Sequence, residues 1–223
     1  MDLKSLLNQA LKSDLLKQGS DALSKQTSNI KSSSSSSQLK TLGAGAIGGG
    51  LIGMLMGSKK SKKMAKKVGT GALKVGGAAA LGALAYKVYN DWQSKQDAQG
   101  VNETFDPDDN KHAKLILKAM IGAAKADGHV DEEEMARIEQ ALTEMGADDH
   151  VRQLVHQELH KPLDPAEIAH LATSPQQASE IYLASLIVAD EQNFMEKAYL
   201  QELAKQLNLS PEVTYQLEAQ LQS

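Results

Sequence analysis

The residues best suited to chemistry lie in one run, Asp127-Gly128-His129-Val130-Asp131-Glu132-Glu133-Glu134. Carboxylate oxygens at this density suit a hard divalent cation, calcium or magnesium, rather than a soft metal. The run imitates the second half of an EF-hand loop: Gly128 takes the sharp-turn position, Val130 the apolar one and Glu134 the closing one. The first ligand positions of that pattern then fall on Ala123 and Lys125, which cannot serve, so a complete EF-hand is not expected. Two readings of the acids stay open. Asp131 followed three residues later by Glu134 is a capping box, and acids at a helix start are favoured by its positive end at ~0.3–1 kcal/mol each. Alternatively, Asp127, Asp131 and Glu134, joined by Asp190 and Glu191, form a site for a divalent cation or a cationic partner.

No other catalytic pattern rises to this level. All six histidines, His112, His129, His150, His156, His160 and His170, fall in the second half of the chain. His156 and His160 share a helix face that could hold zinc, but the string HQELH lacks the glutamate placement of a metalloprotease. Surface histidines are the expected reading. There is no cysteine, which excludes thiolate chemistry and disulfides. Gly43, Gly45 and Gly48 fit GxGxxG, yet no strand precedes them and no βαβ unit follows. No nucleophile elbow is present. The chain is therefore not expected to be an enzyme; a metal-dependent enzyme using the Asp127 cluster is the alternative.

The elements that must position these acids are helical. Aromatics make up 4% of the chain, so the core must come from Leu, Ile, Val, Met and Ala, a helix-forming set. Charge divides the chain. Residues 1–98 carry 15 lysines and 5 aspartates, a net of +10, and residues 99–223 carry 9 basic and 23 acidic residues, a net of -14. An acidic half does not suit nucleic acid, and the basic half lacks arginine and interleaved aromatics, so no nucleic-acid partner is expected. The charge change places a domain boundary near residue 100.

From the start, residues 1–25 space Leu3, Leu6, Leu7, Leu11 and Leu15 as an amphipathic helix, for the protein surface or for a membrane or partner helix. They do not read as a secretory signal. Residues 26–40, with serines from Ser32 to Ser37, read as a flexible linker. Residues 41–57 carry no charge, and seventeen residues at helical rise reach ~25 Å, near the lower limit for a span. Gly45, Gly49, Gly53 and Gly57 recur every fourth residue, the small face through which membrane helices pack. Lys59, Lys60, Lys62, Lys63, Lys66 and Lys67 follow, a loop suited to anionic headgroups. A second small face, Ala72, Gly76 and Ala80, then precedes Tyr86, Tyr89 and Trp92, which would form an interfacial aromatic belt. Residues 41–92 are thus expected to form a membrane hairpin packed through its glycine faces. The short segments also permit a re-entrant arrangement. As a hairpin, it leaves the topology open: a cytoplasmic lysine loop would put both tails across the membrane.

Residues 93–108 read as a linker. The remainder, 109–223, has helix starts at Asp108 or Asp109, Asp131, Asp148 or Asp149, Asp164, Ser174 and Ser210, and a further helix near Phe194, seven in all. Pro165, Pro175 and Pro211 sit just inside three of these starts. A weak internal repeat joins AKADGHVDEEEMARI to VADEQNFMEKAYL, so two helix pairs should share a core.

With these residues in hand, AMIGAAKADGHVDEEEMARI followed by LIVADEQNFMEKAYLQELAKQLNL resembles the tellurite-resistance TerB-like helical fold. The Gly-rich stretch before it resembles the YebE-type bacterial inner-membrane proteins. The resemblance implies an all-α domain with paired helices and an acidic surface proposed to bind metal, with Asp127, Asp131 and Glu134 matching its acidic motif. Met195 and Ala198 stand where acids would complete a twin site, so a symmetrical two-metal site is not expected. The combined expectation is a protein of the bacterial inner membrane. An acidic helical domain would act there as an interaction or cation-sensing module in envelope or metal stress. Its partners would be membrane lipid and either another protein or a second copy met through the glycine faces.

Overall fold

The computed structural model describes residues 1–8, 73–96, 103–128, 130, 132–144, 146–189 and 193–222. Gly45, Gly49, Gly53, Gly57, Ala72, Asp131, Asp190 and the six lysines from Lys59 to Lys67 lie outside the described residues. Of Glu134 and Gly76 only the helical backbone is described.

The described residues are helical, with no strand among them. A helical segment over residues 3–8 is followed by α1, Leu73–Lys95, and α2, Asn110–Ala124. A 3-10 turn, Lys125–Asp127, leads to α3, Glu132–Glu144, then α4, Asp149–His160, and α5, Pro165–Ala169. α6 is Pro175–Val188, α7 is Phe194–Gln206 and α8 is Pro211–Gln222. The starts follow from side chains that accept the first free backbone N–H groups. Asp109 accepts from Lys111 N at 2.9 Å, Asp148 from Val151 N at 2.9 Å and Asp164 from Ala166 N at 2.9 Å. Ser174 accepts from Gln177 N, and Asn193 from Met195 N at 2.9 Å. After α3, Gly146 takes φ 68°, and the Ala147 N–H returns to Leu142 O at 2.9 Å, a glycine-dependent helix end.

The bundle is built around α6. Every residue from Gln176 to Val188 is buried, so this helix has no solvent face. α2 lies along it in the same direction: His112 meets Glu180 and the Ser185 hydroxyl donates to Ala119 O, so positions advance together along both helices. Two consecutive helix pairs, α2–α3 and α6–α7, therefore start from parallel neighbours, and the turns that end α2 and α6 lie at the same end of the bundle.

Two features depart from the sequence expectation. Over its second half α1 packs inward: Leu81, Ala85, Tyr86 and Val88 are buried in the same core as α2 and α6. Tyr86 stacks edge-on to Phe105 with centroids 5.3 Å apart, while Tyr89 and Trp92 pack against the core. The aromatic cluster read as a lipid interface is thus used to seat α1. No helix among the described residues is long and apolar enough to cross a membrane. The second departure is at the start of the chain. Leu6 and Leu7 are fully buried in the bundle core, Lys4 pairs with Asp108 at 2.8 Å, and Met1 O accepts from Asp148 N at 3.2 Å.

Candidate functional site

The acidic turn is positioned from behind by a buried cation. Lys125 closes α2 and is only 7% exposed. Its Nζ donates to Glu158 O at 2.9 Å and also to Lys161 O. These carbonyls belong to the last turn of α4 and the residue after it, where helix N–H partners run out and the helix end is negative. Burial pulls the Lys125 ammonium below its ordinary pKa, against Glu158 and Glu167, which push it up. Beside it, Glu158 is 6% exposed and held by Lys118 at 2.9 Å and Lys161 at 3.0 Å. Burial raises the Glu158 carboxyl, but the hydrogen bonds and charges of those two lysines outweigh it, and its pKa lies below the ordinary value. Lys161 also reaches Glu167 at 2.9 Å. A cavity of about 20 Å³ between Lys118, Lys125, Glu158 and Glu167 is room for one water, not for a metabolite.

Past Lys125 the chain turns outward. Asp127 is exposed, Gly128 takes φ 154° and Val130 returns to the core. The turn packs against α7, whose first residues, Phe194 and Met195, are 81% and 56% exposed. Of the predicted cation ligands, the structure thus describes one carboxylate, Asp127, on the surface; Asp131, Asp190 and the Glu134 side chain fall outside the description. Among the described residues no three His, Asp or Glu side chains are grouped closely enough to hold a metal ion. His156 and His160 are exposed with rings 4.1 Å apart, and His160 Nδ1 is engaged with His156 O at 2.7 Å.

Sequence reasoning missed a second cluster. His112 Nδ1 and Glu180 Oε2 are 2.7 Å apart, with His112 8% exposed and Glu180 fully buried. The imidazole lies 4.5 Å from the Phe105 ring and 5.6 Å from Tyr86, centroid to centroid. The second carboxylate oxygen, Glu180 Oε1, has no hydrogen-bond partner among the described residues. It faces Gly82 of α1, where a Cβ would come within 2.8 Å of that oxygen and 2.7 Å of Phe105 Cζ. Burial lifts the Glu180 carboxyl above its ordinary pKa despite His112. Burial alone would lower His112, but its bond to Glu180 and the charges of Glu180, Asp109 and Glu103 raise it. Burial, with Glu103 and Glu180, pushes the Tyr86 phenol to about 12. The pair joins α2 to α6 under α1. One signal in the sequence could have exposed it: Glu180 is the only charge between Pro175 and Val188.

Comparison with known proteins bears on the whole of this architecture. The family described as "Protein of unknown function (DUF533)" matches residues 41–221. The chain belongs to the DUF533 family. DUF533 is the TerB-like family, so the all-helical, TerB-like part of the resemblance holds for this chain. A relative from Yersinia enterocolitica, the "Uncharacterized protein in ampR 5'region", is 33% identical over 121 residues, covering 54% of this chain and 86% of the relative. No solved structure matches the chain.

Proposed function

We propose that this DUF533 protein is a non-enzymatic, membrane-associated interaction module of the YebE type, with cation sensing at its acidic turn. One observation carries the reading. The parallel packing of α2 and α6 puts the Asp127 turn and the start of α7 at one end, where an exposed carboxylate stands beside an exposed Phe194–Met195 pair. Large apolar side chains presented together are the usual mark of a contact surface, and carboxylates around them give it charge selectivity. The uncharged run at 41–57 and the lysines after it supply the membrane part of the proposal. Bacterial inner membrane is the compartment this implies.

The test is calorimetry on the full chain with calcium, magnesium and zinc, beside an Asp127→Ala/Asp131→Ala variant. Cation sensing predicts heat with calcium or magnesium that the variant loses. No heat in either protein removes the sensing role and leaves an interaction role. Sedimentation of the full chain after lysis without detergent tests the membrane part, and recovery in the supernatant would refute it.

A further inference from the structure

Residues 1–8 are seated on the bundle in the way a bound peptide would be. The segment caps itself: Asp2 accepts from Ser5 N at 3.0 Å and from Ser5 Oγ at 3.0 Å, and Leu6 N donates to Asp2 O at 3.0 Å. Leu3, Leu6 and Leu7 then fall at i, i+3 and i+4, on one helix face. Leu6 and Leu7 are fully buried in the bundle core, and Leu3 packs against it. Polar contacts fix the register. Met1 N donates to Gly146 O at 2.7 Å and Met1 O accepts from Asp148 N at 3.2 Å, both at the corner between α3 and α4. Lys4 reaches Asp108, just before α2, at 2.8 Å. Apolar anchors inside and polar contacts at the rim are the helix-in-groove mode of peptide recognition.

Each of these contacts is made by residues 1–7, so the groove recognises the segment itself rather than the chain that carries it. The connection from the segment to α1 is long, the 64 residues from 9 to 72. Fully extended, such a length reaches about 210 Å, so it does not confine the segment to its own bundle. The longer a connection, the lower the effective concentration of a segment at its own site. The same segment from a second copy makes the same contacts, and a groove left empty would expose the apolar surface that now covers Leu6 and Leu7.

We propose that residues 1–8 are exchanged between copies of this chain: the groove bounded by Asp108, Gly146 and Asp148 in one copy takes Leu3, Leu6 and Leu7 of a second, and the reciprocal contact closes a two-fold dimer. Exchange of an identical element gives up no contact, so protein concentration sets the balance between a chain's own segment and its partner's. Asp108 precedes α2 and the Asp127 turn follows it, with the fifteen residues of the helix between them. The exchange surface is therefore apart from the acidic turn, and its test does not depend on cation binding.

The absence of cysteine makes that test direct. Full-length Lys4→Cys and Asp108→Cys chains, carrying different tags, are mixed and treated with a short bismaleimide. The expected result is a heterodimer joined through positions 4 and 108, whose share rises several-fold as protein concentration is raised. No heterodimer at any concentration overturns the proposal, as does a Lys4→Cys/Asp108→Cys chain that crosslinks only within itself. Leu6→Asp/Leu7→Asp then separates exchange from misfolding, because its effect depends on which chain carries it. In the Lys4→Cys chain it spoils the donated segment and the heterodimer is lost. In the Asp108→Cys chain it vacates that chain's own groove and the heterodimer increases. The same effect in both positions, whether a loss, a gain or no change, overturns the proposal.

Discussion

Replacing His112 by alanine should be among the most damaging single changes in the bundle, and its effect should depend on pH in a defined direction. Glu180 is fully buried, and its Oε2 is 2.7 Å from His112 Nδ1. Removing one member of a buried pair strands the other, at a cost of about 3–5 kcal/mol. For a chain of this size each kcal/mol moves the melting temperature by about 2–4 °C, so the variant should melt about 6–20 °C lower near neutral pH. Glu180→Gln keeps the shape and a hydrogen bond to the imidazole without the charge, and should cost about 1 kcal/mol or less.

The pH dependence follows from the two directions. His112 titrates above its ordinary 6.5 in the folded chain, so its contribution is complete below 6.5 and is lost as pH rises through the folded value. Glu180 titrates above its ordinary 4.5, so folding is favoured while it holds its proton and weakens as pH rises through its raised value. Both terms lower stability from about pH 4.5 upward, past 6.5. Glu158 acts oppositely and lower down: its depressed value stabilises above 4.5 and that contribution is lost as pH falls through the folded value. Urea titrations followed by far-UV circular dichroism at intervals from pH 4 to 9 would resolve this. Wild type should lose stability on the alkaline side, Glu180→Gln should flatten that slope, and His112→Ala should recover part of its loss at acid pH, where Glu180 is neutral. An unchanged midpoint in His112→Ala, with the same slope as wild type, would refute the assignment of the pair as a structural and protonic link.

The other predictions use the same stability assay. Gly82→Ala puts a methyl group against Phe105 Cζ and Glu180 Oε1, and overpacking there should cost about 1–3 kcal/mol; a neutral result would show that α1 can shift off α6. Lys125→Met keeps the stem of the side chain but removes the charged donor from the end of α4, which should cost about 1.5–3 kcal/mol, with loss of amide exchange protection concentrated near residues 158–161. Leu7→Ala should cost about 2–5 kcal/mol if residues 1–8 are held as firmly as the rest of the core, and deletion of 1–8 should cost at least as much; a silent Leu7→Ala would detach the N-terminal segment from the fold.

What the sequence disclosed was the part written locally. Asp109, Asp148, Asp164, Ser174 and Ser210 announce helix starts because a cap and its N–H partner lie within three residues of each other. The turn through Gly128 was legible for the same reason. The buried contacts of α1 were not. A stripe of alanine and glycine lets any helix approach closely, in lipid or in a protein core, and only the partner distinguishes them. Here the partner includes Phe105 and Glu180, the latter 98 positions after Gly82. Leu6 and Leu7 had no address for a similar reason: an amphipathic pattern states that a face is buried but not against what. His112 and Glu180, 68 residues apart, each look ordinary alone.

The same separation explains how the acidic turn stands. A divalent ion at a helix end ordinarily gains from main-chain carbonyls, which supply oxygens without a charge of their own. Here the carbonyls of Glu158 and Lys161 are occupied by the Lys125 ammonium, and the Glu158 carboxylate by Lys118 and Lys161. The chain therefore carries its own cation behind the turn, inside the core, where it fastens α2 to α4. Under the proposed cation sensing, an ion from outside would be held in front of it by side chains of the surface, beginning with the exposed Asp127. Ligand number and rigidity set affinity at such sites, so a few carboxylates on the surface would give weak, salt-sensitive binding. On the function proposed above, such a site would respond to the ionic conditions near it rather than hold one ion permanently, because the main-chain and carboxylate oxygens behind the turn are already engaged by Lys125, Lys118 and Lys161.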